Sequence, residues 1–193
     1  MVTEIRIYFE GNRDLKRGFH SFFSKLHDLA RSKNCQVRWI STGGKPVPDY
    51  RDALCTHPNA WNVLLKDSDR PDSGRLFQEL SRQEKLNASL ADSVFWMVQV
   101  MESWFLADSE ALGKYYGQGL KARLLRANPE VEQIRKEDVL RKLRTATKDT
   151  QKGEYDKRKH APDLLSRIDP ERVSKASPNC RRIFDIIAEK LSS

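Results

Sequence analysis

Apolar positions in the first 119 residues form short runs rich in apolar residues, separated by longer stretches with helical spacing. The runs at residues 5–10, 37–41, 61–65 and 94–100 predict β-strands. The stretches at residues 14–32, 48–55, 74–86 and 101–116 predict helices. Strands that alternate with helices in this way are typical of an α/β fold with a parallel sheet and helices on both faces. We therefore expect a parallel sheet of about four strands flanked by helices.

The pattern changes after Gly119, because no further apolar run with the length of a strand follows. Residues 139–147, 160–168 and 179–191 predict helices, and the pairs Asp169-Pro170 and Ser177-Pro178 are interpreted as breaks between them. We interpret residues 1–119 as an α/β core and residues 120–193 as a helical extension packed on it, within one domain overall.

Charge is distributed unevenly between these two parts. The chain carries a formal net charge of +8, and residues 1–119 contain 16 basic and 15 acidic residues. Residues 120–193 contain 19 basic and 12 acidic residues, so the excess lies in the extension. A basic segment of this kind indicates an anionic partner, most commonly nucleic acid, and the alternative is a solubilising surface.

Targeting signals and cysteine frameworks are not predicted. No run of about 18 apolar residues is present, and the N-terminal sequence lacks the basic and apolar regions of a signal peptide. Cys35, Cys55 and Cys180 are scattered without a CxxC pair, which argues against a disulfide framework or a cysteine-rich zinc site. These features predict a cytoplasmic protein without a membrane partner.

Carboxylates follow the predicted strands at the edge where parallel sheets bind ligands. Glu10 ends the first strand, and Asp67 and Asp69 follow the third. In an extended segment, the spacing of the two aspartates would place them on the same side. Hard cations such as Mg²⁺ or Mn²⁺ prefer such oxygen ligands. Glu102, after the fourth strand, is a candidate fourth acid or a carboxylate that complements a helix dipole, and the aspartates could instead be solvated loop residues.

Basic residues near this edge are candidates for contacts with phosphate. Those proposed to bind nucleic acid are Lys45, Lys66, Lys157, Arg158, Lys159 and His160. Lys45 ends a Thr-Gly-Gly-Lys turn that is not a Walker A motif, and Lys66 lies beside the acids. The last four belong to the basic run KGEYDKRKH, whose Tyr155 could stack a base. Ordinary solvated turns and loops, and a structural histidine, are the alternatives.

These residues also carry a resemblance to a known domain. A strand ending in Glu10-Gly11 and another ending in Asp67-Ser68-Asp69 resemble the Toprim domain of topoisomerases, primases and overcoming-lysogenization-defect nucleases. The chain more closely resembles a bacterial Toprim-like family of unknown function, often encoded beside an ABC/AAA-type ATPase in antiphage defence loci. The stretches that carry this resemblance are IYFEGNRD, TGGKPVPDYRDAL, LLKDSD, MVQVMESWFLAD and KGEYDKRKHAPDLLSRID.

The resemblance implies a Toprim-like, Rossmann-like sheet and a metal-dependent nuclease that acts on DNA or RNA. It implies catalytic roles for Glu10, Asp67 and Asp69: the two aspartates would bind Mg²⁺ or Mn²⁺, and Glu10 would complete the site or move a proton. Glu102 is added to the predicted metal ligands because of its position after the fourth strand, not because of the resemblance. Nucleic acid and an ABC/AAA-type ATPase are the implied partners. The alternatives are a non-catalytic module that binds nucleic acid or the ATPase, and a phosphatase-type enzyme with a small substrate. Strand passage is not expected, because the chain is too short for that machinery.

Overall fold

A computed structural model describes residues 2–193 and contains one sheet of four parallel strands. The strands are β1 (Glu4–Phe9), β2 (Gln36–Ser41), β3 (Trp61–Asp67) and β4 (Val94–Met97), in the order β2-β1-β3-β4. The predicted parallel sheet with about four strands is therefore confirmed. The order places β1 and β3 at the centre, so their carboxyl ends lie side by side.

Nine α-helices surround the sheet within the described residues. They are α1 (Leu15–Phe22), α2 (Ser24–Ser32), α3 (Pro46–Thr56), α4 (Leu76–Gln83), α5 (Ser109–Tyr116), α6 (Lys136–Thr147), α7 (Lys157–Leu165), α8 (Pro170–Ala176) and α9 (Pro178–Ser192). Short 3₁₀ segments cover Ala88–Ser93, Met101–Ala107, Ala122–Leu125 and Val131–Gln133. None of these helices is long and apolar enough to cross a membrane.

Strand side chains alternate between two separate apolar cores. Phe9, Leu65 and Met97 belong to the larger core, which α1, α2 and the helices after residue 119 cover. Tyr8 and Leu64 belong to a smaller core on the opposite face, against α3 and α4. Both faces are covered, as expected for a parallel sheet whose strands are continuous apolar runs.

The helices after residue 119 share the larger core with the sheet. Helix α7 packs on α1, and α9 packs on α2 and β4. At the α1–α7 crossing, a Cβ built on Gly18 would lie 2.8 Å from both the Pro162 carbonyl oxygen and Leu165 Cβ. Glycine therefore allows the two helices to approach closely. The division into segments 1–119 and 120–193 remains a prediction, and this packing is consistent with an extension docked on the core.

Several predicted helix boundaries were wrong. The single helix predicted at residues 14–32 is interrupted at Phe23, and the helix predicted at 101–116 begins as a 3₁₀ segment. The Asp108 side chain then accepts a hydrogen bond from the Ala111 N–H at 3.2 Å and caps α5. The pairs Asp169-Pro170 and Ser177-Pro178 do separate helices, as predicted, and each also starts the next one: Asp169 and Ser177 are N-caps, and the prolines after them occupy the first turn, where proline needs no N–H partner.

Candidate metal centre and nucleic-acid interface

Glu10 and Asp67 lie at the ends of neighbouring strands. Phe9 of β1 is in register with Leu65 of β3, and the Glu10 N–H donates a hydrogen bond to the Leu65 carbonyl at 3.3 Å. Asp67 is the last residue of β3 and is in register with Met97 of β4. The predicted adjacency of the two strand ends is therefore confirmed.

Asp67 is buried at this edge and contacts two different elements. Its Oδ1 accepts a hydrogen bond from the Met101 N–H at 2.8 Å, and its Oδ2 lies 3.3 Å from Nζ of Lys157. The pKa of Asp67 is raised to about 6, chiefly by burial and also by the charges of Glu102 and Glu10, which outweigh the lowering by Lys157 and by the Met101 hydrogen bond. The carboxylate is thus held ionised mainly by a cation supplied from α7.

Glu102 also lies next to the Lys157 ammonium. Only 1% of the residue is exposed, and its carboxylate accepts a hydrogen bond from the Tyr155 hydroxyl at 3.1 Å. Its Oε2 lies 3.4 Å from Nζ of Lys157. Burial opposes the charged form of Lys157, but the two carboxylates raise its pKa above the usual value. These contacts favour a site residue over a carboxylate that only complements a helix dipole.

Glu10 has an oxygen that no hydrogen-bond donor reaches. Its Oε2 is buried without a hydrogen-bond partner among the described residues. The nearest cation is Nζ of Lys66 at 4.0 Å, which also lies 3.7 Å from Glu84 and donates to the Asp67 carbonyl at 3.3 Å. A buried carboxylate oxygen without a donor is costly, so this atom is a natural ligand for a bound cation.

Asp69 lies close by but is oriented differently from the prediction. The prediction assumed an extended segment, whereas the chain leaves the strand after Asp67 and Asp69 has φ 57°. Its N–H donates to the Gln99 carbonyl at 2.8 Å, and its carboxylate forms an ion pair with Lys136. Lys136 is near enough that the charges of Asp67 and Lys157 both affect its pKa. Asp69 is therefore at the border of the cluster.

The chemistry of the carboxylates suits a hard divalent cation, because they offer oxygen ligands near one sheet edge and Glu10 Oε2 lacks a positive group within hydrogen-bond distance. Their arrangement is different: in residues 2–193, no group of three or more acidic, histidine or cysteine side chains is placed to hold a metal ion. Instead, lysine ammoniums neutralise Asp67, Asp69 and Glu102. Binding of a cation would require these carboxylates to turn from lysine towards the metal.

The basic run KGEYDKRKH is not a loop throughout. Asp156 caps α7 by accepting a hydrogen bond from the Lys159 N–H at 2.9 Å, so Lys157, Arg158 and Lys159 form the first turn of that helix. Lys157 points to the acids, whereas Arg158 and Lys159 are exposed. In this arrangement the Lys157 ammonium is held by Asp67 and Glu102, so its predicted contact with nucleic acid would first require release from these acids.

Two aromatic residues of this run are also unavailable to a polymer. His160 is 1% exposed, and its Nδ1 lies 3.1 Å from the Tyr115 hydroxyl. The prediction that His160 binds nucleic acid is therefore wrong for this arrangement, and the alternative of a structural histidine is correct. Tyr155 is buried as well and donates to Glu102 instead of stacking a base.

The remaining basic candidates differ in exposure. Lys45 is exposed and directly precedes α3. The space around its neighbours is open, because a Cβ added at Gly43 or Gly44 would meet no atom within 4 Å. The Gly11 N–H donates to the Gly43 carbonyl at 3.0 Å, so this turn lies beside the strand that carries Glu10. Lys66 is mostly covered by the acids around it. Lys45 is therefore the more accessible of the two for a phosphate.

Sequence reasoning missed three residues of the cluster. Lys136 neutralises Asp69, Tyr155 donates to Glu102, and Asp156 fixes the start of α7. Only Asp156 has a signal in the sequence, because aspartate before a helical stretch is a common N-cap. The contacts of Lys136 and Tyr155 join distant segments and have no local signature.

The chain belongs to a family described as "Domain of unknown function (DUF4276)", whose model matches residues 12–188. No curated protein matches the chain in sequence.

Solved structures with the same fold extend over nearly the whole chain. The C-terminal region of the Burkholderia pseudomallei OLD protein is 14% identical, with a TM-score of 0.52, over 97% of this chain and 98% of that chain. Two structures of the C-terminal region of the Xanthomonas campestris pv. campestris OLD protein are 13% and 15% identical, with TM-scores of 0.54 and 0.56. They cover 99% and 100% of this chain and 94% and 97% of those chains. The chain thus shares the fold of these OLD C-terminal regions, and the predicted α/β class with a parallel sheet flanked by helices is confirmed.

Proposed function

We propose that this member of the family is a nuclease that depends on Mg²⁺ or Mn²⁺ and acts on DNA or RNA as the effector of an ATPase-linked antiphage defence system. The observation that carries the proposal is the gathering of Glu10, Asp67 and Glu102 at the carboxyl edge of a parallel sheet, with the buried Oε2 of Glu10 left without a hydrogen bond. The likeness in fold to the OLD C-terminal regions supports it.

The roles of the acids follow from their positions. Glu10, Asp67 and Glu102 would hold the cation, and Asp69 would complete its ligands after release from Lys136. A divalent cation bound there would supply an activated water and offset the charge that develops on the phosphate. Alternatively, if Oε2 of Glu10 does not bind the cation, Glu10 is placed to take a proton at this atom, since no donor of the protein occupies it.

Lys157 has a second role in this proposal. Its ammonium bridges Asp67 and Glu102 when no cation is bound, and it lies in the first turn of α7 with 40% of the side chain exposed. When a cation neutralises the two carboxylates, the ammonium becomes free to contact a phosphate oxygen at the same edge.

Cleavage of labelled DNA and RNA in Mg²⁺ or Mn²⁺, with and without EDTA, tests this function. Asp67→Asn, Asp69→Asn and Glu10→Gln should each remove most of the activity, because each removes a charge from the cation ligands. Asp185→Asn, a change of an exposed carboxylate on α9, is the matched control and should retain activity. Each variant is also melted thermally to show that the fold persists. Cleavage that survives all three site substitutions would refute the assignment.

One observation favours a second candidate function. Lys136 and Lys157 already neutralise Asp69, Asp67 and Glu102, so the cluster can persist without a metal. A non-catalytic module that binds nucleic acid or a partner ATPase would keep such a lysine-neutralised arrangement. If the wild-type protein neither cleaves nucleic acid nor binds a divalent cation, even when the proposed partner ATPase is supplied, the non-catalytic module becomes the better assignment.

A further inference from the structure

Helices α1 and α7 form a basic groove that continues from the acidic cluster. We call it the α1–α7 groove; its volume is about 590 Å³. Its lining residues are Arg13, Asp14, Lys16, Arg17, His20, Arg158, Lys159, Pro162 and Asp163. Five basic residues against two acidic ones give this surface a net positive charge, which attracts a polyanion.

The basic face of α1 follows from helical spacing. Arg13, Lys16, Arg17 and His20 are three or four positions apart, so they lie on one face of the chain as it enters and follows α1. All four are exposed. Across the groove, Arg158 and Lys159 project from the first turn of α7, and Gly18 lets the two helices pack closely. The close crossing brings the two basic rows to opposite sides of one groove.

Most of these cations are not neutralised by the protein. Arg17 is paired with Asp163. Arg13, Lys16, Arg158 and Lys159 have no carboxylate within ion-pair distance in the described part of the chain. Exposed cations that lack internal partners can pair with phosphates without first breaking an ion pair.

The groove is linked to the acidic cluster through Arg158 and Lys157. A second cavity, of about 560 Å³, lies beside the strand edge between Gly11, Gly43, Lys157 and Arg158. Arg158 lines both cavities, and its neighbour Lys157 contacts Asp67 and Glu102. If one phosphate of a nucleic-acid strand lay at the acids, its neighbouring phosphates would therefore lie beside Arg158, and the following ones would lie in the groove.

The described side chains that line this groove include none suited to stacking on a base. Among the described residues that line it, no Phe, Tyr or Trp is present, and His20 already stacks on His27 with ring centroids 4.0 Å apart. Proteins that bind unpaired bases commonly use exposed aromatic side chains for stacking, whereas most contacts of arginine and lysine are made to phosphate and sugar. A basic surface without aromatics therefore favours the backbone over the bases.

We infer that the α1–α7 groove is the track that binds the phosphodiester backbone of nucleic acid beyond the scissile phosphate, independently of base sequence. This inference rests on the proposed function and assigns the surface that holds its substrate. It gives the residues of α1 a role in binding that the acidic cluster does not require.

Binding measured without cleavage tests the inference. Fluorescence anisotropy of labelled duplexes and single strands in EDTA, across a salt series, gives the affinity and its salt dependence. Lys16→Glu with Lys159→Glu is the groove variant. Lys33→Glu with Lys175→Glu is the control, because it changes the same charge at two exposed lysines outside the groove. The groove variant should lose affinity at least tenfold and flatten the log–log salt slope by roughly 2, whereas the control should change far less.

The outcomes separate this inference from the proposed nuclease. Equal losses in both variants would refute the groove and indicate an effect of total charge. Wild-type affinity that differs more than about tenfold between base sequences of equal length would refute a backbone track, because phosphate contacts carry no sequence information. If the wild type cleaves nucleic acid in Mg²⁺ but the groove variant binds nucleic acid with wild-type affinity, the groove is not the binding track and the proposed nuclease still stands. Wild-type protein that binds as expected but never cuts would support the groove and refute the nuclease.

Discussion

The ammonium of Lys157 lies 3.3 Å from Oδ2 of Asp67, although 90 positions separate the two residues in the sequence. Asp67 ends a central strand and Lys157 begins α7, so this ion pair ties the basic C-terminal helices to the edge of the sheet. The same ammonium reaches Glu102, which means that one side chain neutralises two buried acids.

Removal of the Lys157 charge should destabilise the fold. In Lys157→Met, Asp67 and Glu102 lose their common cation, and breaking a fully buried pair costs about 3–5 kcal/mol. Because 40% of Lys157 is exposed, solvent screening reduces the expected loss of unfolding free energy to about 2 kcal/mol. Urea denaturation measures it, with Lys159→Met as the exposed control. Saturating Mg²⁺ should recover part of the loss; equal stability of the two variants would contradict the arrangement.

Tyr155→Phe should weaken the support of Glu102. Burial raises the pKa of Tyr155, so its hydroxyl stays protonated and donates to the carboxylate at 3.1 Å. Loss of a hydrogen bond to a charged group should lower the unfolding free energy by about 1.5–3 kcal/mol. Tyr50→Phe is the matched control, because the buried Tyr50 hydroxyl pairs with the neutral Ser93 at 2.8 Å and its loss should cost only about 1 kcal/mol. A smaller effect at Tyr155 than at Tyr50 would argue against the Tyr155–Glu102 hydrogen bond as a support of the cluster.

Gly18→Ala should disturb the α1–α7 crossing. The new Cβ would lie 2.8 Å from the Pro162 carbonyl oxygen, which is backbone and cannot rotate away, so the unfolding free energy should fall by about 1–3 kcal/mol. Gly113→Ala in α5 is the matched control; its Cβ meets nothing within 4 Å, and alanine should stabilise the helix by up to about 1 kcal/mol. Thermal melts of both variants measure the change in stability. A loss of stability in Gly113→Ala alone would contradict the close packing of α1 on α7 at Gly18.

His27 should make stability depend on pH. Trp39 Nε1 donates a hydrogen bond to His27 Nε2 at 2.9 Å, which requires a neutral ring. Burial and the neighbouring His20 lower the pKa of His27 from 6.5 to about 4. The unfolded chain therefore binds the proton first: stability from this group is complete above about pH 6.5 and is lost as pH falls towards 4. The urea midpoint should fall over this window less steeply in His27→Phe than in wild type, and identical slopes would refute the assignment.

The sheet and the proximity of Glu10 and Asp67 could be predicted from the sequence. Runs rich in apolar residues indicated the strands, and because parallel strands bring their carboxyl ends to one edge, Glu10 and Asp67 were expected at the same edge. The orientation of Asp69 was not predictable in this way, since its φ of 57° depends on how the chain leaves β3.

The lysines that neutralise the acids could not be found from the sequence. Lys136 and Lys157 lie 67 and 90 positions from the aspartates that they contact, and only tertiary packing brings them together. The run around Lys157 has the composition of a solvated loop, and the N-cap at Asp156 was the sole local sign that a helix starts there. His160 was misassigned for a similar reason, because burial of a histidine in a basic run has no local signature.

The proposed nuclease requires the acids at the sheet edge to bind a divalent cation, and a crystal soaked in Mn²⁺ would reveal such binding. An anomalous difference map should contain a peak with carboxylate oxygens of Glu10 and Asp67 about 2.0–2.3 Å away. The same soak of an Asp67→Asn crystal should lose the peak, and Lys157 should have moved from its position between Asp67 and Glu102 in the wild type. A saturated soak with no peak at this edge, or with Lys157 still bridging the two acids beside an empty Glu10, would contradict the proposal.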